Sequence, residues 1–191
     1  MPELVHKNWL IVVLLALGVL ILALLPRLVS NYVISLFIVL YANVALATAW
    51  AFFSGTTRYI SLATAAFFGV GIYALAILHV HVPLPAALLG ATIVGFLVAL
   101  VVGLSTLRLR GVYFVVFTFG LTELVHQVLN WWEIKVNRTV TRYIFADVSN
   151  VSIYETLLAV ALLTILGSWY VSRTRLGFAL RAIGEDETVA R

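Results

Sequence analysis

Long apolar runs separated by short polar joints dominate the chain: Trp9 to Leu25, Tyr32 to Phe53, Tyr59 to Val82, Leu84 to Leu107, Tyr113 to Trp132 and Ile153 to Val171. Only Glu123 and Glu155 break the last two with a charge. Each run is close to the ~20 residues that cross the roughly 30 Å hydrocarbon layer as helix, and none alternates as a barrel strand does. The pattern therefore predicts an all-α, polytopic transmembrane helix bundle of about six membrane segments. The third run is the candidate for a broken or re-entrant helix. Ser54-Gly55-Thr56-Thr57 leads into the small residues of Ser61 to Ala66 before Phe67-Phe68-Gly69-Val70-Gly71. Irregular backbone at membrane depth survives only where protein or a water-filled cavity surrounds it.

Composition agrees with the pattern. The 191 residues are 63% hydrophobic and 10% charged, against about 25% charged in a soluble domain, too few to clothe a water-facing surface. The absence of cysteine excludes disulfides, thiolate metal sites and cysteine nucleophiles. The net charge of +4 matters less than where the cations stand. If all six segments cross, Lys7, Arg58, Arg108, Arg110, Arg173, Arg175, Arg181 and Arg191 share one side and Arg27, Lys135, Arg138 and Arg142 the other. The excess of basic residues marks the cytoplasmic side, so both termini are expected inside a multi-pass protein of the cell membrane. Trp9, Trp50, Trp131, Trp132 and Trp169 stand at or near span ends, the headgroup level that indole prefers. The first run lacks a small-residue cleavage site and is followed by Pro26 and Arg27, so it reads as a retained helix and not a signal peptide. No repeat or flexible linker divides the chain, and a single domain over 1–191 is expected.

Candidate chemistry is sparse. Glu123, His126, Gln127 and Asn130 fall at offsets of 3, 4 and 7, one face of the fifth helix. Counted from Tyr113, Glu123 lies about 15 Å deep. A carboxylate there costs several kcal/mol unless neutral, paired or wet, so it is expected to face the interior beside His126. The face reads either as the lining of a translocation path or as a buried tie between helices. Asn43 in the second run is a candidate for a hydrogen bond across helices or for the same path. Gly69 and Gly71, and Ala91, Gly95, Ala99 and Gly103 at steps of four, are candidates for close helix packing. His79-Val80-His81 lies at a membrane edge without further ligands and reads as interfacial, not as a metal site. No cofactor is expected. The sequons Asn137-Arg138-Thr139 and Asn150-Val151-Ser152 matter only in a secretory host. There is no His-Glu-x-x-His, Gly-x-Ser-x-Gly or phosphate loop; if nucleotide drives this protein, another chain must bind it.

After the last run, residues 172–191 form a separate segment. Leu176, Leu180 and Ile183 recur at i, i+4 and i+7 among Arg173, Arg175 and Arg181, with Glu185, Asp186 and Glu187 following. A short amphipathic helix is expected, docking either on a partner protein or on anionic lipid.

Three stretches in order resemble the LivM-type inner-membrane permeases of branched-chain amino-acid ABC transporters. They are Ser61-Leu62 with Ala65 to Tyr73, Leu107 to Phe114 with Thr118 and Glu123 downstream, and the loop from Ser172 to Ala190. The likeness runs from about Tyr41 to the end. It differs at Arg58-Tyr59, where the family tends to have Gly then Gln, at Ala63-Thr64 in place of Gly-His, and in the glycine-free stretch Glu133 to Ser152. The resemblance implies a permease subunit of an ABC importer for branched-chain amino acids or related small solutes. It also implies ATPase subunits docking on the segment carrying Arg175, Gly177, Phe178, Leu180, Arg181, Ile183 and Glu185. A second permease subunit, an extracytoplasmic solute-binding protein and membrane lipid complete the expected partners, and nucleic acid is not among them. Family members continue through further spans, so an amino-terminal portion is implied. The alternatives are a membrane-embedded enzyme using Glu123 and His126, or a structural membrane subunit.

Overall fold

The computed structural model describes residues 2–106, 109, 111–137 and 148–185, and side chains within 13–106, 109, 111–135 and 148–182. The helices are α1 (Pro2–Leu24), α2 (Asn31–Thr57), α3 (Thr64–His79), α4 (Leu84–Thr106), α5 (Val112–Trp132), α6 (Asn150–Ser172) and α7 (Arg175–Glu185). A 3-10 turn, Leu25–Arg27, follows α1, and a π-helical turn, Glu133–Asn137, follows α5. No strand occurs among the described residues, and the expected polytopic helical bundle is what the structure shows. Among the described residues, four helices are long and apolar enough to cross a membrane: Asn31–Thr57, Leu84–Thr106, Val112–Lys135 and Asn150–Ser172. At the third expected segment the apolar helix is shorter, Thr64–His79, while α1 at the first has 23 residues. Arg108, Arg110, Arg138, Arg142 and Arg191 lie outside the described residues.

The contacts gather the chain into two compact units, Met1–Thr48 with Val148–Tyr170, and Ala49–Asp147 with Val171–Arg191. In the first, the core is Ile34, Tyr41, Tyr154, Leu158 and Ala161, flanked by Phe37. The rings of Tyr41 and Tyr154 meet edge to face at 5.2 Å. Pro26 explains why a tyrosine is placed here. Leu22 would ordinarily give its carbonyl to the N–H four residues on, and residue 26 has none. Tyr154 donates its hydroxyl to that carbonyl at 2.7 Å, and its oxygen lies 2.8 Å from the Tyr41 hydroxyl. Since Tyr154 has one proton and gives it to Leu22, Tyr41 is the donor between the two rings. Tyr154→Phe leaves the Leu22 carbonyl and the Tyr41 hydroxyl without their partner in a dry core, and should cost about 1–2 kcal/mol. Denaturant titration in detergent measures it.

In the second unit, the expected break in the third segment is present. Helix α2 ends at Thr57, and Arg58 turns the chain at φ 57°. The next helix starts only at Thr64. Its 16 residues rise about 24 Å, short of the bilayer core. A left-handed residue bearing a Cβ costs roughly 1–2 kcal/mol that glycine avoids. Arg58→Gly, which restores the residue common in the resembling permeases, should therefore stabilise the protein by about 1 kcal/mol in the same titration.

Candidate functional site

The segment between α2 and α3 runs back into the bundle. Trp50, seven residues before the end of α2, donates its indole N–H to the Ser61 carbonyl at 2.9 Å. Leu62 meets Thr118 and Thr122, six and ten residues into α5. At 1.5 Å per residue, both measures place the extended chain about 10 Å or more inside the helix ends. Its backbone is satisfied as irregular backbone in a membrane must be. The buried Thr118 hydroxyl accepts the Leu62 N–H at 3.2 Å, and the Thr122 hydroxyl donates to the Leu62 carbonyl at 2.9 Å. Thr57 Oγ1 accepts the Tyr59 N–H at 3.3 Å, and Ser61 Oγ accepts the Ala63 N–H at 3.3 Å. Phe114 lies against Tyr59 edge to face and stacks on Phe53. At the other end of α3, Tyr73 donates to the buried Glu133 at 2.6 Å. Helix α3 is thus bonded to α5 near one end, and its lead-in segment near the other. Sequence reading missed Glu133 and Thr122. Their signal was present: two threonines at i, i+4 in an apolar run, and a lone carboxyl just past a span.

The four polar residues of α5 form a ladder. Gln127 Nε2 donates to Glu123 Oε1 at 2.8 Å, Asn130 Nδ2 lies 3.0 Å from His126 Nε2, and His126 Nδ1 stands 4.0 Å from Glu123 Oε1. The His126 and Glu123 side chains are 66% and 60% exposed. Thr118 and Thr122 occupy the face of α5 turned to the chain interior. Glu123, one residue on, is rotated about 100° from Thr122. Asn43 donates to the Val39 carbonyl of its own helix at 2.8 Å.

Of the small residues, Ala91 is buried with Ala87. Gly90 is the close contact of α4, where an added Cβ would meet Leu78 Cδ1 of α3 at 2.6 Å. Gly69, Gly71, Gly95 and Gly103 have nothing within 4 Å of an added Cβ, and Ala99 is exposed. Ala91 is thus the buried member of the stripe of four. Among the described residues no group of three or more His, Asp or Glu is placed to hold a metal. His79 closes α3 with its Nδ1 buried and unpaired.

The segment after α6 is the expected short helix. Thr174 turns the chain, its hydroxyl and N–H both donating to the Val171 carbonyl at 2.8 and 3.0 Å. Gly177 lies in the first turn of α7, buried against the end of α6. An added Cβ would collide with the Val171 carbonyl oxygen and lie 2.7 and 2.8 Å from Ser172 Cα and C. Leu176 and Phe178 are exposed, Leu180 is half-buried, and Arg175 and Arg181 are exposed. The side chains of Ile183 and Glu185 lie outside the described residues.

No curated protein and no solved structure matches the chain. A family model described as branched-chain amino acid transport system / permease component matches residues 32–191, and lends no support to the enzyme or structural-subunit alternatives. The matched region takes in the inserted segment, the α5 ladder and α7. The chain belongs to the permease-component family of branched-chain amino acid transport systems.

Proposed function

We propose that this chain is a permease subunit of an ABC importer for branched-chain amino acids or related small solutes, coupled through α7 to a separate cytoplasmic ATPase. The observation that carries the reading is the way α7 is built. A helix that transmits force must be fixed to the span that it moves, and Gly177 lets the backbone of α7 touch the backbone of α6. A docking helix must also present side chains, and Leu176 and Phe178 stand free beside Arg175 and Arg181. Closure of an ATPase pair would push this helix and rock the spans. The solute would come from an extracytoplasmic binding protein and pass along a path lined by Glu123, His126 and Gln127, with a second permease subunit opposite. Both termini stand on the cytoplasmic side in this reading, following the eight-to-four bias of basic residues. Asn43 of α2 is a further candidate for the path.

The test is co-purification with the ATPase from detergent. Burying an apolar side chain is worth roughly 1.5–3 kcal/mol. Leu176→Asp combined with Phe178→Asp should abolish ATPase retention and leave membrane insertion intact, since neither residue lies in a span. Retention by the double variant would refute coupling through α7 and favour a lipid-surface role for Arg175 and Arg181.

A further inference from the structure

We draw no further inference here: the strongest candidate, the buried Glu133 carboxyl that accepts the Tyr73 hydroxyl where the end of α5 meets α3, belongs to the site already described and stands in one arrangement only, which names neither a ligand nor a switch.

Discussion

Gly177→Ala is expected to detach α7 from the end of α6 and to reduce ATPase retention by at least an order of magnitude, although it adds a single methyl group. In most helices this substitution stabilises, because alanine loses less backbone entropy than glycine, by about 1 kcal/mol. Here the new Cβ would overlap the Val171 carbonyl oxygen and press on Ser172 Cα and C at 2.7 and 2.8 Å. Those are backbone atoms, and they cannot swing aside as a side-chain tip can. Overpacking costs typically about 1–3 kcal/mol, and it is relieved here by tilting α7 away from the span it must follow. Gly69→Ala supplies the contrast, since nothing lies within 4 Å of its added Cβ; that variant should be neutral or stabilising. Amide exchange over α7 reads the effect directly. Protection in the Gly177→Ala protein equal to that of the parent would show that the close approach is not required.

The contrast between the two glycines shows what the sequence could and could not reveal. Spans were legible because hydropathy is a property of each run alone. The break in the third segment was legible because small and hydroxyl residues cluster at 54–66. Gly177 was legible only as a member of the docking segment, because the neighbour that demands a glycine there, the end of α6, depends on the angle at which the chain turns at Thr174. The same limit governs α5. Periodicity showed that Glu123, His126, Gln127 and Asn130 share a face. Which face the other helices cover was decided by Thr118 and Thr122, whose partner is backbone and carries no side-chain signal. Tyr154 was invisible for a related reason: its task is set by Pro26, more than a hundred residues away, through a carbonyl that every residue possesses.

The second large effect is expected at the clamp, from Thr118→Val and Thr122→Val together. Valine has the shape of threonine, so packing is kept and only the hydroxyls go. The N–H of Leu62 then loses its acceptor and the carbonyl its donor, in extended chain with no helical partner to replace them. A backbone group left unpaired away from water costs about 1–3 kcal/mol, so with two such groups the double variant should lose roughly 2–6 kcal/mol, if the segment stays in place. The inserted segment has another outcome open to it, because it can withdraw to the membrane surface and regain water, drawing α3 with it. Trp50 reports which occurs. Its indole N–H is bonded to the Ser61 carbonyl, so withdrawal should strip that bond and alter accessibility at Ser61, whereas simple destabilisation would not. A cysteine at Ser61 should thus be inert to a water-soluble thiol reagent in the parent chain and reactive in the double valine variant. Thr118→Ser, which keeps the hydroxyl and removes a methyl, should leave Ser61 protected. If Thr118→Ser exposes Ser61 as fully as the valines do, the threonine methyl and not its hydrogen bond holds the segment, and the clamp is a packing contact.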